Sequence, residues 1–364
     1  MKNLICLTLI LTLVFKITAC KNTNPASTPP SVSNTQNVKH SAEKDSISLS
    51  KTLNKINGVS FVAVPEPYKT PVMQELKTIN ADWIAVIPYG FSRIGKTDVM
   101  YDPSHQWWGE THEGVRTTID SAHRAGVKVM LKPQIYVGDS WTGALDFTTE
   151  AEWAEWEANY EKYLLPFADM AAQKQIEVLC IGTEFQISSA KREKFWRELI
   201  KKIRLKYSGK LTYAATWSEY GHIQFWDALD FIGIDAYFPL HDANTPSVSD
   251  LCDAWRIYYE AVKSCHLKFK KPVAFTEYGY MSVDGCAGKG WEIEPKVRSC
   301  KINELAQANA LDALFTTFYN ESWFIGGFIW KWFPGGQGHE GYIERDYTPQ
   351  GKQAEAVLKK WHTK

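Results

Sequence analysis

The chain has 364 residues, 45% of them hydrophobic, which is enough to bury the core of one large domain or of two ordinary ones. Lys and Arg together number 41, as do Asp and Glu, and the resulting net charge of zero argues against nucleic acid or an acidic membrane surface as a partner. The 15 Trp, 17 Tyr and 17 Phe residues exceed what a core usually requires, so some aromatic side chains are expected to form a binding surface.

The first 20 residues have the features of an export signal. Lys2 provides a positive start, residues 4–15 form an apolar stretch too short to span a bilayer, and small residues precede Cys20. This pattern resembles a bacterial lipoprotein signal, which implies cleavage before Cys20 and a lipid on that cysteine; an ordinary secretory signal is the alternative. We expect an exported protein that is held at the cell envelope, at the outer membrane, by its N-terminal lipid alone.

Residues 21–55 are expected to form a disordered linker, because they are rich in Ser, Thr, Asn and Pro and contain almost no large apolar side chains. No later stretch has the roughly 18 apolar residues of a transmembrane helix. We therefore predict one folded domain, from residue 56 to residue 364.

Within that domain, eight short apolar runs alternate with segments of helical periodicity. The clearest helix is predicted over residues 150–174, where Trp153, Trp156 and Tyr160 share one face. The predicted strands comprise residues 58–64, 82–88, 127–133, 177–184, 210–217, 230–237, 272–277 and 326–332. Runs of consecutive apolar residues are typical of strands buried on both faces, so the alternation predicts an α/β fold, a (β/α)8 TIM barrel.

Two of the predicted strands end on a glutamate that follows a threonine. Glu184 ends the fourth strand and Glu277 ends the seventh. Because the carboxyl ends of the strands meet at one mouth of a parallel barrel, the two side chains are expected to face each other. A single glutamate in such a position is often only the point at which a strand reaches water, whereas a facing pair is what cleavage of a glycosidic bond requires.

Three short motifs carry a resemblance to a known family, namely IGTEF at 181–185, TEYGY at 276–280 and FIWKW at 328–332. With glutamates after strands four and seven, the chain resembles the clan A glycoside hydrolases. The motifs are similar to those of glycoside hydrolase family 113, whose characterised members are β-1,4-mannanases. The resemblance extends over residues 56–364 and implies a retaining endo-β-mannanase that acts on a polysaccharide or oligosaccharide.

The resemblance also implies roles for individual residues. Glu184 would be the acid/base and Glu277 the nucleophile of a double displacement, with carboxyl groups roughly 5 to 5.5 Å apart. Tyr237 matches the position from which clan members donate a hydrogen bond to the nucleophile, and Trp330 matches the aromatic floor beneath the cleaved sugar. Arg93 is expected either to keep Glu277 ionised or to be a surface arginine in a loop.

The chain departs from the clan at Thr183. Many clan A enzymes carry Asn immediately before the acid/base, where its amide contacts the sugar 2-hydroxyl. Threonine has a shorter reach and a single hydroxyl, so this contact must be altered or supplied from elsewhere. The departure weakens any inference about gluco or manno preference and leaves the two-carboxylate mechanism intact.

Aromatic residues in the predicted βα loops suggest several sugar subsites, because sugar rings stack their C–H faces on aromatic rings. Packing in the core is the alternative for each. The candidates are Trp107, Trp108, Trp141, Trp217, Phe238, Tyr280 and Trp291. The adjacent pair Trp107 and Trp108 is the favoured platform, and Lys132 and Gln134 at the end of strand three are expected to reach substrate hydroxyls.

The remaining motifs indicate neither a metal nor a cofactor. The nine His residues show no HExxH spacing, and no glycine-rich phosphate or dinucleotide loop follows a strand. Export permits a disulfide between Cys286 and Cys300, and the sequence leaves that pairing open. The leading hypothesis is therefore a lipid-anchored endo-β-1,4-mannanase. The alternatives are a retaining β-glycosidase acting on β-glucan, xylan or a β-mannoside, and a carbohydrate-binding lipoprotein without catalysis.

Overall fold

A computed structural model describes residues 55–101, 104, 106–138, 140–339 and 341–363. The predicted signal with Cys20, and residues 21–54 of the predicted linker, lie outside the described residues. The described part of the chain contains a closed barrel of eight strands, all paired in parallel. Ten strands occur along it: β1 (Ile56–Phe61), β2 (Trp83–Val86), β3 (Tyr89–Ser92), β4 (Lys128–Leu131), β5 (Gln134–Val137), β6 (Val178–Thr183), β7 (Lys210–Thr216), β8 (Ile232–Asp235), β9 (Val273–Tyr278) and β10 (Phe324–Trp332).

The order of strands around the barrel is β1, β2, β4, β6, β7, β8, β9 and β10, after which β10 pairs with β1. This order confirms the predicted (β/α)8 barrel, and each barrel strand lies within two or three residues of a predicted run. β3 and β5 were not predicted; they pair with each other beyond the carboxyl ends of β2 and β4. Gln134, the first residue of β5, is therefore placed at the barrel mouth.

Helices surround the barrel and its mouth. They are α1 (His112–Arg124), α2 (Glu150–Gln173), α3 (Gln186–Lys191), α4 (Glu193–Arg204), α5 (Val248–Phe269), α6 (Gly290–Ile293), α7 (Glu304–Phe318) and α8 (Gln353–Trp361). The two longest begin with capping boxes, in which Thr149 and Glu152 satisfy the first amides of α2, and Ser247 and Asp250 do the same for α5. Among the described residues, none of these helices is long and apolar enough to cross a membrane.

The strands are buried on both faces, as their composition predicted. Alternate strand residues such as Ala85, Met130 and Ala214 fill the barrel interior, where Trp83 packs against Phe328 with ring centroids 6.3 Å apart. The other strand residues pack against the helices in a second, larger core. Many of the aromatic residues belong to these cores, and Trp156, Trp196, Trp226 and Trp255 are fully buried.

The five cysteines in the described part of the chain are free thiols. Cys286 is buried, and the Cys300 thiol lies 3.5 Å from the carbonyl oxygen of Lys296. The disulfide between Cys286 and Cys300, which the sequence left open, is absent from the structure.

Candidate active site

A cavity of about 720 Å³ opens at the carboxyl ends of the barrel strands. Both predicted glutamates, Glu184 and Glu277, line it. The other lining residues are Tyr89, Gln134, Tyr136, Val137, Ser140, Trp141, Thr142, Thr183, Gln186, Thr216, Trp217, Ser218, Asp235, Tyr237, Gly290, Trp291, Glu294, Trp330 and Tyr347. The described lining thus includes four carboxylate residues and no Lys, Arg or His side chain. Large aromatic rings and a few polar groups in one concave site are typical of a ligand pocket.

Glu277 lies in β9 and is held by three hydrogen-bond donors. Its Oε1 accepts hydrogen bonds from the Lys132 ammonium group and, at 2.8 Å, from Gln134 Nε2. Its Oε2 accepts a hydrogen bond of 2.8 Å from the Tyr237 hydroxyl. Burial raises the pKa of Tyr237 well above its ordinary value, so the hydroxyl stays protonated and donates. These donors fix the carboxylate and stabilise its negative charge.

Lys132 is completely buried beneath the cavity and contacts two carboxylates. Its ammonium group pairs with Glu277 and lies 3.4 Å from Asp235 Oδ2. Burial by itself would lower the pKa of Lys132, but the charges of Asp235 and Glu277 outweigh it and raise the pKa above its ordinary value. The Thr276 hydroxyl donates a hydrogen bond of 2.7 Å to Asp235 Oδ1. Lys132 is therefore the buried positive charge that compensates for Glu277.

Removal of this ammonium group is expected to destabilise the protein. Lys132→Met would leave Asp235 and Glu277 buried without their cation, which costs about 3 to 5 kcal/mol in the free energy of unfolding. Urea denaturation measures this difference.

The matched control is Lys191→Met, which breaks an ion pair of 2.7 Å with Asp146 in which the lysine side chain is 53% exposed. That change is expected to cost at most about 1 kcal/mol. Equal denaturation midpoints for the two variants would show that the buried contacts of Lys132 with Asp235 and Glu277 stabilise the fold no more than a surface ion pair does.

Glu184 follows β6 directly and has a different environment. Its backbone φ angle is +57°, in the left-handed region that residues with a Cβ rarely adopt. Its Oε2 accepts a hydrogen bond of 2.7 Å from Trp141 Nε1. Burial first, and then the neighbouring charge of Glu277, raises the pKa of Glu184 to about 7. A carboxyl group with such a pKa is suited to act as an acid and then as a base near neutral pH.

The structure brings most of the predicted site residues together. Thr183, Trp217, Tyr237 and Trp330 line the cavity with the two glutamates. Lys132 was expected to reach substrate hydroxyls, but it lies fully buried and contacts Glu277 and Asp235 instead.

Arg93 is not part of the site. Its side chain is 64% exposed and lies 3.6 Å from Asp98. The surface alternative is therefore the correct one, and the expectation that Arg93 keeps Glu277 ionised is wrong, because Lys132 occupies that position from inside the barrel.

Four of the predicted aromatic platforms also lie elsewhere, and one of them, Phe238, is buried with 1% of its surface exposed. Trp107 is 45% exposed but does not line the cavity. Trp108 packs edge-to-face on Tyr68, with ring centroids 5.4 Å apart, in a separate groove beside the barrel. Tyr280 is buried, with 4% of its surface exposed. The adjacency of Trp107 and Trp108 in the sequence did not make them one stacking surface, because the side chains of neighbouring loop residues point in different directions.

Sequence reasoning missed Asp235 and the bond from Trp141 to Glu184. Asp235 ends β8 within an apolar run, which is the same signal that identified the two glutamates. Trp141 was predicted only as a stacking surface, whereas its indole N–H fixes a carboxylate. Among the described residues, no group of three or more His, Cys, Asp or Glu side chains is arranged to hold a metal ion.

Comparison with known proteins is consistent with this geometry. The sequence profile of Glycoside Hydrolase Family 113 matches residues 65–352. The fold superimposes on a GH113 β-mannanase from Alicyclobacillus acidocaldarius in complex with ManMIm, with a TM-score of 0.72 and 25% identity over 85% of this chain and 98% of that one. A complex of a GH113 β-1,4-mannanase gives a TM-score of 0.73 and 25% identity over 85% and 99%.

More distant similarity concerns the fold alone. A β-glucuronidase from Ruminococcus gnavus matches with a TM-score of 0.56 and 15% identity, over 85% of this chain and 50% of that one. A search of the curated proteins found no match. The family profile covers most of the chain, and the chain therefore belongs to glycoside hydrolase family 113, a family of enzymes that hydrolyse glycosidic bonds.

Proposed function

We propose that the protein is a retaining endo-β-1,4-mannanase that works by double displacement. The observation that carries the proposal is the contrast between two carboxyl groups in one cavity. Glu277 accepts hydrogen bonds from Lys132, Gln134 and Tyr237, as an ionised nucleophile requires. Glu184 has a pKa raised to about 7, as an acid that later becomes a base requires.

In the first step, Glu277 attacks the anomeric carbon and forms a covalent glycosyl ester. Glu184 donates its proton to the departing glycosidic oxygen, so the leaving sugar departs as a neutral alcohol. Water then enters, and the Glu184 carboxylate removes its proton as the ester bond to Glu277 breaks. The two inversions at the anomeric carbon give net retention of configuration.

The proposal for mannan as substrate is supported by the solved relatives, which are β-mannanases at 25% identity. Action within a chain is supported by aromatic rings along the cavity. Trp217 and Trp291 lie nearly parallel, with ring centroids 5.8 Å apart and an interplanar angle of 12°. Trp141 and Tyr136 contribute further partly exposed rings to the lining. Together they offer stacking surfaces for more than one sugar ring.

Loss of one of these rings is expected to weaken binding of long substrates. Trp291 is 46% exposed and lines the cavity, so Trp291→Ala should raise KM for a manno-oligosaccharide about tenfold, the scale of one aromatic stacking contact. An aryl β-mannobioside that reaches fewer subsites should be little affected. Trp107→Ala is the matched control, because Trp107 is 45% exposed outside the cavity. Equal KM values for the two variants would show that Trp291 does not contribute to substrate binding.

Activity is expected to fall at alkaline pH. The first step requires protonated Glu184, and its pKa of about 7 means that the protonated fraction decreases as pH rises above that value. A profile of kcat/KM on a manno-oligosaccharide from about pH 5 to pH 9 should therefore fall about tenfold per pH unit above this pKa. The same limb should be absent from Glu184→Ala. A profile that stays flat to pH 9 would contradict the acid role of Glu184.

Product release from a panel of soluble β-glycans tests the proposed substrate. The folded domain should release oligosaccharides from mannan and glucomannan and none from xylan or β-glucan. If the domain instead cleaves another member of the panel, the protein is a glycosidase with a substrate other than mannan. Binding without cleavage of any member would favour the carbohydrate-binding alternative.

We also propose that the enzyme is exported and carries a lipid on Cys20. The motif that ends in Ala19 and Cys20 supports this. The full chain expressed in a bacterial host should partition into detergent, and Cys20→Ala should remain in the aqueous phase. Aqueous partition of both proteins would indicate an ordinary secretory signal.

A further inference from the structure

Behind the cavity wall lies a third glutamate. Glu219 follows β7 by three residues, is 1% exposed and does not line the cavity. Its Oε1 accepts hydrogen bonds from the Ser189 hydroxyl at 2.5 Å and the Tyr213 hydroxyl at 2.8 Å. Its Oε2 accepts a hydrogen bond of 3.1 Å from the Thr216 amide. Burial of a carboxylate is costly unless hydrogen bonds compensate for it, so the residues that bind Glu219 indicate what it positions.

The Tyr213 hydroxyl links Glu219 to the residue after the acid/base. Its oxygen accepts a hydrogen bond of 2.7 Å from the amide of Phe185. The hydroxyl thus accepts from the Glu184–Phe185 peptide and donates to Glu219. A second connection reaches the same segment, because Ser189 in α3 donates its hydroxyl to Glu219 and its amide to the Phe185 carbonyl at 2.7 Å.

The peptide groups on both sides of Glu184 are therefore held from β7. The Glu184 amide donates a hydrogen bond of 2.8 Å to the Ala214 carbonyl, and the next amide donates to Tyr213. This support matters because φ of Glu184 is +57°, a conformation that is unfavourable for a residue with a Cβ and persists only where its surroundings enforce it. Relaxation of this backbone would rotate the carboxyl group away from the glycosidic oxygen.

A carboxylate is well suited to this position. A tyrosine hydroxyl can turn its single proton in either direction. Burial raises the pKa of Glu219 to about 7, and the carboxylate that forms above that pH only accepts hydrogen bonds. In this form the Tyr213 proton points toward Glu219, and the oxygen lone pairs remain available to the Phe185 amide. The Tyr213 ring is itself fixed by edge-to-face contacts with Trp196 and Phe225, with centroids 5.2 and 5.7 Å apart.

We propose that Glu219 is a positioning residue for proton donation: through Tyr213 it holds the left-handed backbone at Glu184 and so directs the acid toward the leaving group. This inference rests on the proposed function. It is specific to the step in which Glu184 donates a proton. A purely structural role for Glu219 would affect all substrates alike, whereas a role in proton donation affects only substrates whose leaving group must be protonated.

The experiment compares two substrates on Glu219→Gln and Tyr213→Phe. A manno-oligosaccharide has a poor leaving group that needs the acid, whereas a dinitrophenyl β-mannoside has a leaving group that departs without protonation. We expect kcat/KM for the oligosaccharide to fall between about 10-fold and 100-fold in each variant, as for a slightly misplaced catalytic group. For the dinitrophenyl substrate, whose kcat/KM reports the first step, we expect a change of less than about threefold.

The control variant is Tyr207→Phe. Tyr207 is also buried and also donates one hydrogen bond, of 2.8 Å, but to the Ile176 carbonyl at the opposite end of the barrel. It should leave the ratio of the two kcat/KM values unchanged. If Tyr213→Phe does not fold, as judged by circular dichroism, Glu219→Gln alone carries the comparison, since it keeps the shape of the side chain.

An equal fall on both substrates, or no fall on either, would overturn the positioning role. Failure of the proposed function is seen separately, in the wild type. If the wild type cleaves a different β-glycoside, the same two leaving groups on that sugar repeat the comparison. If it cleaves no β-glycoside, the proposed function fails and the positioning role fails with it.

Discussion

Replacement of Glu277 by alanine is expected to abolish turnover of polysaccharide, with a loss in kcat of about 10⁴-fold or more, as for removal of a catalytic nucleophile. The physical reason is that, among the described lining residues, Glu277 is the carboxylate that Lys132, Gln134 and Tyr237 bind together, whereas Asp235 contacts Lys132 without the other two donors. In the proposed double displacement, the covalent intermediate cannot form without that carboxylate. Reducing-sugar release from mannan by wild-type and variant protein measures the loss.

Azide distinguishes a lost nucleophile from a damaged fold. The small anion can occupy the space left by the Glu277 side chain and attack the anomeric carbon of an activated aryl β-glycoside, which gives an α-glycosyl azide in a single inversion. Glu110→Ala is the control, since Glu110 is partly buried outside the cavity, and it should form no azide product. A Glu277→Ala protein that retains substantial turnover of mannan without azide would assign the nucleophile elsewhere.

Replacement of Glu184 by alanine is expected to have the second largest effect. Loss of a general acid costs about 10² to 10⁴-fold, and this loss should appear in kcat/KM for a manno-oligosaccharide. An activated aryl glycoside should lose much less in kcat/KM, because its leaving group needs no proton. The variant should accumulate the glycosyl ester on Glu277, visible as a mass increase of the intact protein.

The product with azide should again identify the role. In Glu184→Ala the anion takes the place of the activated water in the second step, which gives a β-glycosyl azide, of opposite configuration to the product expected from Glu277→Ala. An α-glycosyl azide from the Glu184 variant would instead make Glu184 the nucleophile and Glu277 the acid/base. Glu184→Gln is a useful second variant, because it retains the side-chain volume beside Trp141 while removing the exchangeable carboxyl proton.

The barrel and the pair of glutamates were predictable because local sequence determines them. A strand buried on both faces appears as a run of apolar residues, and a carboxylate at the end of such a run, as at Glu184 and Glu277, differs sharply from its surroundings. The parallel topology then brings the strand ends together without any knowledge of loops.

The partners of these glutamates were not predictable in the same way. Lys132 and Asp235 meet across the barrel at 3.4 Å although they are far apart in sequence, and no periodicity records such a pairing. Arg93 was the visible cation near strand two, but it lies on a loop whose direction the sequence does not determine. The short strands β3 and β5, which place Gln134 at the mouth, form a separate two-stranded sheet, and each has four residues, too few to give a clear pattern in the sequence.

The acidic lining of the cavity is expected to limit the glycans that the enzyme accepts. Four of its described lining residues are carboxylates, and the nearby Lys132 is buried and already pairs with two of them. Since no Lys, Arg or His side chain is among the described lining residues, a uronic acid or another anionic substituent would approach these carboxylates without a cation to pair with it, which is unfavourable. We therefore expect the enzyme to act on neutral glycans in preference to glycans that carry uronic acids.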